Sequence, residues 1–276
     1  MDLYSVKTYL KPSSLTEVTG WSADQRWLAG GTWLFNEVQP QVKSLVDMQQ
    51  FDWTEIAVSA EGLSIGATCI QNELLAFSFP PEWTAAEALK DAVRELASFK
   101  LSHAATVGGN LCLALSASTF APVMVALKAQ YEIWRVEGEP YSVSAADFQT
   151  APQKTVLQPG DVLRKIKIPR ESLEQWQTRF KRMAVCTAGY AIAIVVTAYN
   201  PHSQQVRFGI GGSVLAPCLV EFDVLPTPEG IATALQEKTF LSDERGSAAY
   251  RQHITGVLMK RGIAALSADV QDERRY

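Results

Sequence analysis

Apolar side chains lie at alternating positions in several short stretches of this chain, which is the period of a β-strand with one buried face. The clearest case is residues 161–169, where Val162, Leu163, Ile166 and Ile168 stand among basic side chains. Shorter stretches of apolar residues bounded by turn residues predict further strands at residues 26–29, 44–48, 62–67, 131–136, 191–199 and 205–210.

A second pattern, with apolar residues three and four positions apart, is typical of helices. Residues 84–96 show it on one face, and Thr84 and Glu87 have the spacing of a capping box at its start. Ser14 and Glu17 have the same spacing before a short helix. Further helices are predicted at residues 121–127 and from residue 242 onwards.

A polar, surface-like run at residues 171–177 separates two parts of the chain that differ in pattern. Beyond it, two apolar strands flank the sequence Asn-Pro-His-Ser at residues 200–203, which predicts a hairpin. The chain has 276 residues, enough for two domains. We therefore predict one domain over residues 1–170 and a second over residues 171–276.

Composition and charge exclude several classes of protein. The chain has 25 basic and 29 acidic residues and a net charge of −4, whereas a nucleic-acid binder normally has a basic excess. The longest apolar run, residues 191–198, is too short to span a bilayer, and the first residues show no signal-peptide pattern. We expect a cytoplasmic protein with neither a nucleic-acid nor a membrane partner.

The metal-ligating and nucleophilic residues are scattered. Cys69, Cys112, Cys186 and Cys218 lack the spacing of a metal or redox motif, so four buried thiols in a reducing cytosol are expected. The three histidines are equally far apart. We predict no metal site on this chain, and we find no Ser/His/Asp set or carboxylate pair that suggests an independent catalytic centre.

Two Gly-Gly pairs provide the candidate chemistry. Gly30 and Gly31 stand in the sequence Leu-Ala-Gly-Gly-Thr-Trp-Leu, and Gly108 and Gly109 in Ala-Thr-Val-Gly-Gly-Asn-Leu-Cys. Glycine lets the chain turn sharply and a ligand approach the main chain, and successive N–H groups in such a turn can bind an anion. Each pair alone is more typical of a structural turn, and neither matches the P-loop or the Gly-x-Gly-x-x-Gly fingerprint. Together they suggest one extended ligand held at two places by its phosphates.

The order of motifs along nearly the whole chain resembles the FAD-binding subunits of the molybdenum hydroxylases, the family of xanthine dehydrogenase and carbon monoxide dehydrogenase. Leu-Ala-Gly-Gly-Thr at residues 28–32 comes first, then Ile-Gly-Ala at 65–67 and Ala-Thr-Val-Gly-Gly-Asn-Leu at 105–111. The series continues with residues 161–169, Phe180-Lys181, Gly211-Gly212 and Ser-Asp-Glu-Arg-Gly-Ser at 242–247.

This resemblance implies an α+β fold. Residues 1–170 would form an FAD-binding domain similar to the PCMH and vanillyl-alcohol-oxidase type, with two α+β subdomains at about residues 1–56 and 57–170. Residues 171–276 would form a smaller domain with a three-stranded antiparallel sheet and helices.

The resemblance also implies which residues hold FAD. The first glycine segment would wrap the pyrophosphate, and the second would contact the pyrophosphate and ribityl chain from the other side. Val162 and Leu163 match positions near the isoalloxazine ring. Lys181 matches a lysine whose charge would stabilise the reduced ring, although a surface lysine is an equal alternative. The implied cofactor-binding residues are Ala29, Gly30, Gly31, Thr32, Trp33, Leu34, Thr106, Gly108, Gly109, Asn110, Thr119, Val162, Leu163 and Lys181.

The sequence departs from the family pattern at some of these positions. Ser116 and Thr119 stand where many members have proline and aspartate, so Thr119 offers only a neutral hydroxyl. The Arg-Arg pair and acidic residues that usually come after Lys181 are replaced by Val-Cys-Thr-Ala-Gly at residues 185–189. Trp33 replaces a frequent polar residue and could stack on the cofactor or pack against the protein.

The implied function is electron transfer within a hetero-oligomer. A molybdopterin-binding large subunit would oxidise the substrate, and electrons would pass through two [2Fe-2S] clusters on a small subunit to FAD on this chain. The acceptor would be NAD⁺, oxygen or another molecule. Two alternatives stay open, a stand-alone flavin oxidoreductase of the same fold and a non-catalytic assembly subunit that has lost FAD.

A locally basic stretch begins at residues 164–167 and continues to Arg179, Lys181 and Arg182. It is either a solvated strand face or a surface for an anionic ligand or acidic partner.

Overall fold

The computed structural model describes residues 3–96, 99–186 and 189–273. Single 3-10 turns in this part lie at Leu15–Glu17, Gln49–Phe51 and Thr84–Ala86. Its strands, numbered in chain order, are β1 (Thr8–Leu10), β2 (Gln25–Leu28), β3 (Ser44–Asp47), β4 (Ile56–Ser59), β5 (Gly62–Gly66), β6 (Gln130–Arg135), β7 (Tyr141–Ser144), β8 (Gln149–Ala151), β9 (Lys154–Thr155), β10 (Asp161–Pro169), β11 (Gln177–Ala184), β12 (Ala191–Tyr199), β13 (Val206–Gly211) and β14 (Cys218–Phe222). Its helices are α1 (Glu73–Ala76), α2 (Glu87–Arg94), α3 (Phe99–Ser102), α4 (Val107–Leu113), α5 (Phe120–Ala126), α6 (Ala145–Phe148), α7 (Arg170–Glu174), α8 (Pro228–Gln236) and α9 (Ala248–Glu273).

The first sheet is small and parallel. Its order is β1-β3-β2, and both outer strands run parallel to β3. The central strand is buried along its whole length, which suits its position between two neighbours. β2 ends at Leu28 and leads directly into the first glycine segment.

The second sheet is antiparallel and has the order β4-β5-β10-β6-β7. Its central strand, β10, has the bounds that alternation predicts, and Ile166 lies opposite both Ile65 and Tyr131. Apolar residues of this sheet, α2 and α5 form the largest core. β10 also packs against α4, and Leu163 shares the largest core with Val107 of the second glycine segment.

The third sheet has four antiparallel strands in the order β11-β12-β13-β14, where the resemblance implied three. The additional strand forms because residues 218–222 continue the pairing beyond the hairpin, with Val220 opposite Phe208. α9 packs against β12 so closely that a Cβ atom at Gly262 would lie 2.9 Å from Cβ of Thr197. Helices and mainly antiparallel sheets confirm the α+β class, whereas the predicted boundaries at residues 56 and 170 stay predictions.

Helix α5 joins the second sheet to the third. All seven of its residues are buried, and it packs against both β12 and β13. A Cβ atom at Gly209 would collide with the carbonyl oxygen of Pro122, and it would lie 2.9 Å from the nitrogen of Ala126. Glycine is needed at position 209 because the backbones of strand and helix are in contact.

Both predicted capping boxes are wrong. The Thr84 hydroxyl donates to the carbonyl of Trp176 at 3.1 Å, and it makes no bond to the helix that follows. Near the N-terminus, Ser13 and not Ser14 pairs with Glu17, through its backbone N–H at 3.0 Å and its hydroxyl at 2.5 Å. Distant or adjacent partners compete with local capping.

Among the described residues, no helix has the combined length and apolar character needed to cross a bilayer.

Candidate cofactor site

The two glycine segments lie against each other. A Cβ atom at Gly30 would collide with the carbonyl oxygen of Ala104 and would lie 3.2 Å from Cα of Ala105. Gly31 has a φ of +68°, a conformation that favours glycine, and the ring of Phe35 fills the space beside it. Gly30 is therefore needed for the close contact between the two segments, and Gly31 is needed for the turn.

The first segment presents free backbone donors. Its turn is closed by bonds from Phe35 N–H to the Gly31 carbonyl and from Asn36 N–H to the Trp33 carbonyl, both 2.9 Å long. Within the described residues, the N–H groups of residues 31–34 donate to no acceptor. Such a cluster resembles the first turn of a helix, where free N–H groups attract anions.

The N–H groups of the second segment already have acceptors within the protein. It forms the start of α4, with Thr106 as the N-cap, and Gly109 N–H donates to the Thr106 hydroxyl at 2.9 Å. Val107 N–H donates to the Cys69 carbonyl at 2.9 Å, and Gly108 N–H to the Ala67 carbonyl at 3.0 Å. These bonds occupy the first N–H groups, so the successive-donor nest that the glycine pair suggested does not form here.

Gly108 has a packing role that its N–H bond helps explain. A Cβ atom there would lie 2.6 Å from the Ala67 carbonyl oxygen and 2.8 Å from the Ala67 Cβ atom. Gly109 is exposed, and an added Cβ would meet the Thr106 hydroxyl at 2.8 Å. The Ile-Gly-Ala motif at residues 65–67 is therefore the surface on which the second segment rests.

Polar side chains lie at the end of the second segment and shortly after it. Asn110 is half-buried and accepts a 2.5 Å bond from the Ser118 hydroxyl through its Oδ1 atom. Thr119 is 3% exposed, and its hydroxyl has no partner among the described residues. A buried hydroxyl without a partner is costly, but surrounding protein atoms enclose this oxygen, so a ligand would reach it only if the side chain turned.

Strand β10 contacts both glycine segments through apolar residues. Val162 lies in a cluster with Trp53 and the partly buried Ala29. Leu163 belongs to the largest core, together with Val107. This arrangement is fixed in part by the Trp27 indole, which donates to the carbonyl of residue 161 at 3.0 Å.

The chain has a recognisable match among protein families. A protein-family model described as "FAD binding domain in molybdopterin dehydrogenase" matches residues 4–171, which is more than half of the chain. The chain belongs to this family. The expected resemblance is therefore confirmed, and the cofactor of this FAD-binding subunit is FAD.

Two similar proteins are medium chains of dehydrogenases. The carbon monoxide dehydrogenase medium chain of Afipia carboxidovorans is 25% identical over 286 aligned positions, covering 94% of this chain and 96% of that protein. The glyceraldehyde dehydrogenase medium chain of Sulfolobus acidocaldarius is 24% identical, with coverage of 91% and 95%. The FAD-binding subunit is thus an oxidoreductase subunit of the molybdenum hydroxylase family.

A solved structure supports the fold. The reconstituted CO dehydrogenase from Oligotropha carboxidovorans matches with a TM-score of 0.83 and 22% identity, over 93% of this chain and 96% of that chain. At this identity the likeness establishes the architecture, including the additional α+β elements beyond residue 171.

The donor set of the FAD-binding subunit fits its cofactor. FAD carries a pyrophosphate, which suits the free N–H groups of residues 31–34. The contact of Thr119 with the cofactor stays a prediction. The side chain of Leu34 packs against the apolar cluster that contains Leu28 and Val42, so only the backbone of Leu34 is left to contact a ligand.

Other predicted residues have different surroundings. Lys181 is half-buried on β11, opposite Val195, and its ammonium group forms no ion pair among the described residues. Its place beside the flavin stays a prediction, as do the alternative roles of the half-buried Trp33. Of the four cysteines, Cys69 is buried, Cys112 and Cys218 are partly buried, and Cys186 is exposed, so the expectation of four buried thiols is wrong.

The basic stretch on β10 is neutralised within the sheet. Arg164 and Lys165 lie 2.8 and 3.2 Å from Glu55, and Lys167 lies 2.7 Å from Glu132. These pairs favour the solvated strand face over a docking surface for an anion. Hydrogen bonds and ion pairs to basic side chains also hold the pKa of Glu55 and of Glu132 below the ordinary value, against the opposing effect of their partial burial.

Sequence reasoning missed two groups at the site. Gln71 is fully buried and donates to the Thr106 carbonyl at 3.1 Å, which fixes the N-cap of α4. Ser118 bonds to Asn110 across eight positions. Threonine is a preferred N-cap residue, so Thr106 could have been predicted as the N-cap of α4. No local sequence pattern predicts that Gln71 and Ser118 bond to this segment.

Proposed function

We propose that this chain is the electron-transferring FAD subunit of a hetero-oligomeric molybdenum hydroxylase. Electrons arrive from [2Fe-2S] clusters on a small subunit, after substrate oxidation on a molybdopterin-binding large subunit, and leave to NAD⁺, oxygen or another acceptor. The family membership and the medium-chain names of the relatives support this role. FAD supplies the two-electron and one-electron chemistry when bound, and the protein supplies binding and orientation.

The observation that carries the proposal is the free donor cluster at residues 31–34. These N–H groups hold the pyrophosphate, and the contact between Gly30 and Ala104 brings the second glycine segment to the same ligand. The second segment contributes side chains, because its first backbone donors are already occupied. The roles of the two segments therefore differ, although their sequences look alike.

The remaining residues shape the environment of the cofactor. Asn110 donates to the ribityl and phosphate oxygens. Strand β10 closes one side of the ring at Val162 and Leu163, whose side chains fill two different apolar clusters. Lys181 holds a positive charge near the ring, which would stabilise negative charge on it in a partly desolvated site. No group of three His, Cys, Asp or Glu side chains suited to a metal was found among the described residues.

The first experiment is an absorption spectrum of the purified chain, followed by release and identification of the flavin. We expect oxidised-flavin bands, about one FAD per chain and co-purification with molybdenum and iron–sulfur subunits. A colourless protein that takes up no added FAD would overturn the proposal. Tight FAD binding with pyridine-nucleotide turnover by the isolated chain would instead support a stand-alone flavin oxidoreductase.

The donor cluster itself is tested with Thr32→Pro. Thr32 occupies the first position of the turn that Phe35 closes on Gly31, where proline is tolerated and removes only a free N–H group. We expect FAD affinity to fall about tenfold, as for a lost charge-assisted hydrogen bond, with little change in thermal stability. Thr32→Ala keeps the N–H group and is the matched control, so an equal loss in both variants would contradict the assignment.

A further inference from the structure

Ser118 makes two hydrogen bonds from a buried position. Its side chain is enclosed by the protein, with 4% of the residue exposed. The hydroxyl oxygen accepts from Ala121 N–H at 3.2 Å, at the start of α5, and the hydroxyl donates to Oδ1 of Asn110 at 2.5 Å. One serine thus joins the start of α5 to the helix that carries the second glycine segment.

The bond between Ser118 and Asn110 determines which end of the Asn110 amide, the oxygen or the NH2 group, is left without a partner. A separation of 2.5 Å lies at the short end of the range for O–H···O bonds and below the range for N–H···O bonds. The amide oxygen is therefore directed towards Ser118, and the Nδ2 group, which has two donors, points away from it. Among the described residues Nδ2 has no partner, and the neighbouring Gly109 is exposed.

We propose that Ser118 is a positioning residue that holds the Asn110 amide with Nδ2 facing FAD. This inference rests on the proposed function, in which Asn110 contacts the cofactor. Without the Ser118 hydroxyl, the amide could rotate and present its oxygen to the phosphate or hydroxyl oxygens of the ligand. Thr119, whose hydroxyl is buried and unpartnered, lies next to Ser118 in the chain and is positioned by the same turn.

The alternative role of Ser118 is purely structural, because the bond to Ala121 N–H stabilises the start of α5. A double-mutant cycle separates the two roles. FAD affinity is measured by titration of the flavin-free protein for wild type, Ser118→Ala, Asn110→Ala and the variant with both changes. If Ser118 acts through Asn110, the second change adds nothing once the first has been made.

We expect Ser118→Ala and Asn110→Ala each to weaken FAD binding about fivefold, and the double variant to bind no more weakly than Asn110→Ala alone. Ser118→Thr keeps the hydroxyl and should bind FAD within about twofold of wild type. Independent, multiplying losses in the double variant would overturn the proposal, as would unchanged affinity in Ser118→Ala.

The chain offers a matched control in Ser144. Its hydroxyl accepts from Asp147 N–H at 3.2 Å and donates to the Asp147 carboxylate at 2.5 Å, the same pair of distances as at Ser118. Ser144→Ala removes a comparable helix cap at the start of α6, so it should lower thermal stability without changing FAD affinity. An equal loss of FAD affinity in Ser144→Ala would mean that Ser118→Ala acts through stability alone, which overturns the positioning role.

Failure of this proposal differs from failure of the proposed function. If wild type takes up no FAD, both are wrong. If wild type binds FAD and the cycle shows no coupling, only the role of Ser118 is wrong.

Discussion

At the scale of single residues, the glycines of the two segments have different physical tasks. Gly30 and Gly108 are required because neighbouring backbone lies where a Cβ atom would be, at Ala104 and at Ala67. Gly31 is required by its positive φ. Gly109 is exposed and meets only the Thr106 hydroxyl. Two similar dipeptides thus provide packing at both places but free N–H groups at only one.

Cys69 gives a prediction at the same scale. Burial, followed by the nearby charges of Glu73 and Glu55, raises the pKa of this thiol from 9.0 to about 12. The unfolded thiol ionises above pH 9 while the folded thiol stays protonated, so the raised pKa makes stability fall as pH rises from about 9 towards 12. Between pH 8 and pH 10, wild type should lose about 1.4 kcal/mol more unfolding free energy than Cys69→Ala.

Urea unfolding at the two pH values measures this difference. Cys69→Ala also leaves a cavity that lowers stability at every pH, but the comparison uses only the change with pH. Cys186 is exposed, and Cys186→Ala serves as the control for the loss of a thiol elsewhere in the chain. Equal slopes for wild type and Cys69→Ala would contradict the prediction.

At the scale of elements, close helix–sheet contacts hold the C-terminal part together. α9 is long, and Gly262 lets it approach β12 at Thr197, whose side chain is fully buried. The Thr197 hydroxyl has no hydrogen-bond partner among the described residues. The contact therefore depends on shape alone.

Gly262→Ala should destabilise the protein by about 1–3 kcal/mol, because the new methyl group collides with the Thr197 side chain. Removing that side chain in Gly262→Ala combined with Thr197→Ala should recover part of the loss, since no hydrogen bond is given up. Thermal or urea unfolding measures both variants. A double variant less stable than Gly262→Ala would show that the collision is not the cause.

Elements with a strong local period were predictable, and tertiary choices were not. The alternation over β10 and the hairpin of β12 and β13 gave nearly the observed bounds. Thr84 has the spacing of a cap, yet its hydroxyl bonds to Trp176, which lies 92 positions away. In the site, the motif located the second glycine segment, but its N–H partners, Cys69 and Ala67, come from a distant turn. Such partners leave no periodic signal in the sequence.

At the scale of the whole molecule, the third sheet and the cofactor site are connected through the loop before α5. Gly212 N–H donates to the Ser116 carbonyl at 2.8 Å. Arg251, which is 1% exposed, donates to the Gly212 carbonyl at 2.8 Å and lies 2.6 Å from Asp243. The Ser-Asp-Glu-Arg-Gly-Ser motif therefore supports the turn that carries residues 116–119.

Removal of FAD should lower the melting temperature of the whole chain in one step. At a free FAD concentration one hundred times Kd, binding adds about 2.7 kcal/mol to the unfolding free energy. Six of the seven tryptophans lie at or before residue 134, so most of the emission reports the first two sheets. Trp176, whose ring is covered by Arg207 of β13 at 3.6 Å, also senses the third sheet, and far-UV circular dichroism reports all three. The two signals should coincide with and without FAD; a separate, FAD-insensitive transition in circular dichroism would contradict the connection.

The buried helix α5 also bears on what can fold alone. The family description ends at residue 171, but α5 faces β12 and β13, which lie beyond that point. A fragment cut there would leave the apolar side of a fully buried helix open to water and the Ser116 carbonyl without its donor. We therefore expect the cofactor site to form during synthesis only after the C-terminal sheet has left the ribosome, and FAD to be taken up after that point.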